Sequence, residues 1–390
     1  TSWKNFFPDL TGFKFVIILT LTTLPADKKI SYMPQLDTLR AFSLFLVLLG
    51  HWVNTDSWIH KFPIGIAGVT IFFVLSGFLI TGILLRNKVS LDSGNHKLLY
   101  YLKNFYIRRT IRIFPVYYFT LIVLFILNFE NIREIILWFV FYISNYLMYI
   151  KMDWTGALSH FWTLAVEEQF YLFWPLIILF TPKKHLFKVI ILFILAGIFF
   201  RGYNYLINDK TEYHTMFSYM LTLSCIDGFA LGAILAYIRN YIDDMFDLLK
   251  GKYIFILVGT FLLMIILMFF DINVVDVSMF KFCIAVIALF MVSKLSIGFK
   301  GKLKYVFENK FLMYLGKISY GMYIFHTFVP YIYLSLGLPY FDSMLIMFLI
   351  YLLILIVISS LSWFVLEKPI NNLKNKFSYN WDQCKPKNIF

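Results

Sequence analysis

The sequence predicts an all-α fold: a polytopic membrane helical bundle of about ten transmembrane helices. Composition, the spacing of apolar runs and the placement of basic residues all point to it. The 390 residues are 60% hydrophobic, 21% aromatic and only 15% charged, whereas soluble domains run nearer 25% charged. A water-facing surface cannot be built from so few charges, so the solvent must be lipid. Apolar runs of spanning length, about 20 residues, fall near 36–54, 67–85, 113–128, 161–181, 186–203, 217–238, 253–270, 277–293, 311–333 and 343–366.

A further apolar run, 135–150, is assigned by charge. If it does not cross, the connections 86–112, 182–188, 239–252, 294–310 and 367–390 share one side and hold 23 Lys and Arg. The other side then keeps Lys61, Arg133, Lys151, Arg201, Lys210 and Lys281. The positive-inside rule favours that arrangement. It makes 135–150 an interfacial or re-entrant helix and puts both termini in the cytoplasm. The same rule accounts for the net charge of +13, which in a soluble protein would suggest nucleic acid.

At the N-terminus, Phe15–Leu24 is too short to span and reads as a signal h-region or surface helix; Met33 is a candidate translation start. Residues 1–33 form a terminal segment, 34–370 the membrane domain and 371–390 a cytoplasmic tail with no soluble domain expected after it. Cys225, Cys283 and Cys384 are too scattered for a disulfide framework or a zinc site. His60, His96, His185 and His214 lack metal-ligand spacing, so no metal is expected. Walker, dinucleotide-binding and H-E-x-x-H patterns are absent.

Charges buried in spans carry the functional signal, since each costs about 2.5–3.5 kcal/mol at a helix centre. In the first span, Arg40 and His51 are eleven residues apart. At about 100° per residue they share one face, about 16 Å apart along the axis. Arg40 stands at the cytoplasmic end, where it could simply snorkel to lipid phosphates; His51 lies deep. Asp37 reads as an N-cap. Arg109 and Arg112, three residues apart, project from one side of what reads as a cytoplasmic helix start, suited either to phosphate or to membrane anchoring. Glu167 and Glu168 sit together in the run His160–Tyr171. They diverge by about 100°, so one is expected to face a reacting centre and the other to pair with an arginine. His326, deep in the ninth span, reads first as a satisfied structural group. Gly68–Gly77 supplies small residues for close helix contact; Ser76 within it lacks a nucleophile-elbow frame.

Together these motifs resemble the acyltransferase-3 family of membrane-bound acyltransferases over about 34–370. Arg40 and His51 are similar to its first-helix signature. Phe72-Phe73 through Ser76-Gly77 is similar to its second-helix motif, and Arg109 with Arg112 to its arginine pair. The run Phe161-Trp162-Thr163-Leu164-Ala165-Val166-Glu167-Glu168-Gln169-Phe170-Tyr171 is the most specific match. Ser319-Tyr320 through His326 and Glu367-Lys368-Pro369 also fit. Thr38 stands where glycine is usual.

The resemblance implies an O-acyltransferase of a bacterial inner membrane. The donor would be cytoplasmic acyl-CoA, acetyl-CoA first, with no bound cofactor. The acceptor would be a cell-surface glycan or lipid-linked sugar, such as O-antigen, capsule, exopolysaccharide or peptidoglycan. Arg40, Arg109 and Arg112 would grip the donor. His51 would be the general base, with an acyl-His51 intermediate left open, and Glu167 or Glu168 would orient or charge-stabilise it. Tyr171, Ser76 and His326 would support the site. The rival classes are a glycolipid or small-solute transporter, which intramembrane Glu and His would also suit, and a structural partner of a polysaccharide synthase.

Overall fold

The computed structural model describes residues 32–54, 56–208, 212–242, 257–267 and 274–379. Among them there is no strand. The helices run α1 (Pro34–Trp52), α2 (Ile64–Asp92), α3 (Leu98–Leu127), α4 (Ile132–Val140), α5 (Ser144–Lys151), α6 (Phe161–Phe180) and α7 (Lys183–Ile207). They continue with α8 (Glu212–Ser218), α9 (Thr222–Tyr241), α10 (Leu257–Leu267), α11 (Val274–Ile297), α12 (Lys302–Phe307) and α13 (Lys310–Phe325). The last are α14 (Val329–Ser335), α15 (Met344–Ser362) and α16 (Lys368–Asn372).

Seven helices among the described residues are long and apolar enough to cross a bilayer. The expected ten also counted α1, α10 and the α13–α14 pair. Of these, α1 carries Asp37 and Arg40, and α13 has 16 residues. The short apolar run Phe15–Leu24 lies outside the described residues, as does Cys384.

Helix α2 is the hub, packed on α1, α6, α9 and α11. It is apolar on every side, as a helix enclosed by others should be, and glycines let its neighbours approach. A Cβ on Gly77 would sit 2.0 Å from the Phe229 carbonyl oxygen, and one on Gly232 equally close to that of Val74. The Gly68–Gly77 stretch therefore serves close packing against α1 and α9, as its small residues predict.

A second anchor is buried among α7, α9 and α11. Arg201 meets Asp227 in a two-bond fork at 2.9 and 2.7 Å and donates to the carbonyls of Ser224 and Ser278. Lys281 donates to the Tyr219 carbonyl and the Cys225 thiol, both at 3.0 Å. Arg201 and Lys281 were assigned to the less basic connections. They are in fact buried helix residues, which sharpens the charge asymmetry rather than blurring it. Replacing Arg201 by Met should cost about 3–5 kcal/mol, because it strands a buried carboxylate. Thermal unfolding in detergent would show it, and Arg201→Met with Asp227→Leu should recover most of the loss.

Four sequence expectations change. Asp37 is not an N-cap: the helix starts at Pro34, whose missing N–H suits that place. Asp37 lies in the first turn, where it bonds Arg40 and the Tyr32 hydroxyl. The arginine pair of α3 is not at a helix start, because the helix begins at Leu98; Arg109 lies eleven residues, about 16 Å, inside it. The 135–150 run is two helices of nine and eight residues, each too short to span, divided where Tyr142 takes a left-handed backbone at φ 54°. The ninth span breaks after Phe325 and resumes at Val329, with Pro330 opening the new helix.

A π-helical turn, Trp363–Glu367, precedes Pro369, and the chain then lies along α3. Arg108 donates to the carbonyls of Lys374 and Phe377 at 2.8 and 3.0 Å, and Tyr100 donates to that of Ser378 at 2.9 Å. Residues 374–378, part of the segment read as a tail, are thus fastened beside the arginine pair.

Candidate active site

A cavity of about 560 Å³ opens inside the bundle, walled by α1, α2, α3, α6, α9 and α13. Among the described residues, Arg40, Arg86, Arg109, Arg112 and Arg239 line it together with the carboxylate of Glu167.

At mid-depth the polar groups form a chain. Tyr171 donates to Ser76 at 3.1 Å, and Ser76 donates to Glu167 at 3.1 Å. Glu167 and Tyr171 are four residues apart on α6 and so share its face. The Arg109 guanidinium lies over the Tyr171 ring at 5.3 Å and near the Phe105 ring at 5.7 Å. Arg40, paired with Asp37, faces Arg109 and Arg112 and feels their repulsion. Three positive charges from two helices therefore converge where one or two negative charges would relieve them.

Thr163 and Tyr323, whose hydroxyls lie 2.6 Å apart, also line the cavity. Beyond Tyr323 stand three histidines. The ring of His326 is 4.9 Å, centroid to centroid, from both His51 and His160. His326 is fully buried. Its Nδ1 donates to the Tyr323 carbonyl at 2.6 Å, which fixes Nε2 as an acceptor, and Nε2 has no hydrogen-bond partner. The ring of His160 is held between the carbonyls of Ala157 and Ile324 at 3.0 and 3.1 Å. His51, on the last turn of α1, is exposed and does not line the cavity.

The sequence-predicted residues thus form two groups. Arg40, Arg109, Arg112, Glu167, Ser76 and Tyr171 surround the cavity; His51 and His326 pair beyond its end. Glu168 belongs to neither. Its Oε1 is buried without a hydrogen-bond partner, and among the described residues no ion pair joins it to an arginine. The carboxylates do diverge, but no hydrogen bond or ion pair links either one to His51 among the described residues. Glu167 bonds Ser76 instead, one level nearer the arginines.

Sequence reasoning missed Arg86, Arg239, His160, Thr163 and Tyr323. In the sequence both arginines read only as topological charges. His160 opens the run His160–Tyr171, but nothing in the sequence sets it apart from the glutamates there. No group of three His, Cys, Asp or Glu among the described residues could hold a metal ion.

Helices of spanning length packed around an interior arginine-lined cavity define a polytopic membrane protein. The chain belongs to the acyltransferase domain family, which matches residues 33–366. It is 30% identical over 380 residues to a protein of Staphylococcus aureus strain MSSA476 named "Putative O-acetyltransferase", covering 91% of this chain and 59% of that one. It is 35% identical over 179 residues to "Peptidoglycan O-acetyltransferase OatA" of Listeria monocytogenes, covering 41% of this chain and 27% of the relative. A Bacillus subtilis protein, "Putative peptidoglycan O-acetyltransferase YrhL", is 34% identical over 166 residues, covering 37% and 23%. The chain therefore spans about three fifths of the staphylococcal relative's length. No solved structure matches.

Proposed function

We propose that the chain is a membrane O-acetyltransferase that moves an acetyl group from acetyl-CoA, entering from the cytoplasm, to a hydroxyl of a cell-surface glycan. The observation that carries this reading is the cavity, lined by arginines, with histidines standing past Tyr323. Arg40, Arg109 and Arg112 would hold the donor's diphosphate by charge-assisted bonds. The pantetheine arm would run past Ser76 and Glu167 toward Tyr323, a path comparable with the roughly 16 Å from Arg40 to His51. The peptidoglycan named for the Listeria and Bacillus relatives makes a glycan of that kind the first acceptor to test.

His51 would act as general base. It takes the proton of the acceptor hydroxyl as that oxygen attacks the thioester carbonyl carbon; the C–S bond then breaks and the thiolate takes the proton back from the imidazolium. In the covalent variant the imidazole itself attacks the thioester carbonyl and the C–S bond breaks to release the CoA thiolate; the acceptor hydroxyl then attacks the acyl-imidazole, the C–N bond breaks, and the hydroxyl proton passes to the thiolate or to solvent. The exposure of His51 supports access by a bulky acceptor from the end opposite the arginines.

The test is radiolabel transfer from acetyl-CoA to peptidoglycan fragments by the purified protein in nanodiscs. The expected result is alkali-labile label on the glycan. Flux of unmodified glycolipid across the bilayer without label transfer would contradict the reading and point to a transporter.

A further inference from the structure

Thr163 of α6 and Tyr323 of α13 bring two hydroxyls together on the cavity wall. Thr163 is four residues from Glu167, about 6 Å of helix rise, on the side of His160. Tyr323 is three residues before His326, whose Nδ1 donates to its carbonyl. The Tyr323 ring lies 5.3 Å from that of His326, which in turn lies 4.9 Å from that of His51. The pair therefore stands between the polar chain at Glu167 and the histidines. Its hydrogen bonds leave a proton to spare. The two oxygens are 2.6 Å apart, so one hydroxyl donates to the other. Both also reach the His160 carbonyl, Thr163 at 3.0 Å and Tyr323 at 3.3 Å. That carbonyl already accepts the Thr163 backbone N–H at 3.3 Å. One hydroxyl proton can thus turn away without stranding a buried acceptor. The other hydroxyls described on the wall are committed. Tyr171 and Ser76 run to Glu167, Tyr320 to the Ile113 carbonyl and Ser319 to the Gly316 carbonyl.

We propose that Tyr323 is a catalytic residue of the transfer: its hydroxyl donates the hydrogen bond that stabilises the oxyanion formed at the thioester carbonyl, and Thr163 is its positioning residue. The proposal rests on the acetyl-CoA reading and adds the group that meets the negative charge developing there. Attack by the acceptor oxygen, or by the His51 nitrogen in the covalent variant, moves the carbonyl π pair onto oxygen. Thr163 donates to Tyr323, and Tyr323 donates to that oxygen. When the pair returns, the C=O bond re-forms and the C–S bond breaks; Tyr323 keeps its proton throughout. Two donors in line polarise each other, which strengthens the last bond of the chain. The surroundings add to it. The Phe72 ring stands edge-on to Tyr323 at 6.4 Å, and Val69 and Leu164 line the same cavity. Apolar walls screen such a bond far less than water does. One preorganised donor of this kind contributes about 10²–10³-fold to kcat.

The experiment measures kcat and KM for acetyl-CoA, per folded protein, in nanodiscs with peptidoglycan fragments as acceptor. Tyr323→Phe keeps the ring against His326 and Phe72 and removes only the hydroxyl. It should lose about 10²–10³-fold in kcat with KM unchanged, the mark of an interaction made only in the transition state. Thr163→Val should lose about threefold to tenfold, again in kcat, the weight of one neutral hydrogen bond. Thr163→Ser should restore it. In the Tyr323→Phe background Thr163→Val should cost nothing more, because Thr163 acts through the phenol. If Tyr323→Phe does not fold, Thr163→Val and Thr163→Ser decide by the same split between kcat and KM. Unchanged kcat in Tyr323→Phe overturns the proposal and leaves the acetyl-CoA reading standing; no transfer by the wild type overturns both. A rise in KM alone would make the hydroxyls a binding contact and overturn it. Acetyl label on Tyr323 itself, found by mass spectrometry after acetyl-CoA alone, would make the phenol a nucleophile and overturn it too.

Discussion

Replacing His51 by Ala is expected to lower acetyl transfer by about 10²–10⁴-fold, the usual contribution of a positioned general base, with expression and thermal stability near those of the wild type. The stability half of that expectation follows from where the side chain lies. His51 is exposed at the end of α1 and makes no hydrogen bond among the described residues, so its removal leaves no buried group stranded. The activity half follows from its neighbours. His326, edge-on to His51, is buried and held by the Tyr323 carbonyl, so it cannot swing out to take over the acceptor proton. His160 is held between two carbonyls. Label transfer from acetyl-CoA, normalised to folded protein, checks both halves. Undiminished transfer would remove His51 from the reaction.

The second large effect is expected at Arg109. Its guanidinium combines a stack on Tyr171 with the convergence of Arg40 and Arg112. Arg109→Gln should raise the KM for acetyl-CoA by about 10- to 100-fold, which corresponds to losing a charge-assisted interaction of roughly 1.5–3 kcal/mol. Arg109→Lys should recover only part of it, since an ammonium keeps the charge but loses the fork and the flat stacking face. The KM increase should shrink as salt rises, because screening weakens the wild-type contact too. A fall in kcat at unchanged KM would instead mean that Arg109 acts on the reacting carbonyl.

Hydropathy and charge made most of the bundle legible in the sequence, because lipid leaves the backbone little choice but the helix. The misplacements have local causes. The α3 start was read too late because Leu98–Arg112 mixes polar and apolar residues, which removes the hydropathy signal but not the helix. The break at His326 was missed because Pro330 lies inside an otherwise apolar run. Arg201 and Lys281 looked like connection charges because a sequence does not show Asp227 and Cys225 waiting for them on another helix.

The candidate site divides along the same line. Spacing within one helix put Arg40 and His51 on a common face, separated Glu167 from Glu168 and paired Arg109 with Arg112. Spacing says nothing about depth between helices. The contacts of Ser76 with Glu167, Thr163 with Tyr323 and His51 with His326 depend on how the helices slide past one another. That register is set by glycine contacts such as Gly68 on Ser43 and Gly316 on Asp37. The same register puts Glu167 with the arginines rather than beside His51.

The central claim is that donor and acceptor approach from opposite ends, the donor through the arginine-lined cavity and the acceptor at His51. Sealed vesicles of both orientations, each given acetyl-CoA on the outside only, test it directly. Acetylation of the glycan is expected only in inside-out vesicles, where the basic face meets the donor. Transfer of equal rate in right-side-out vesicles would place the donor at the histidine end and contradict the account.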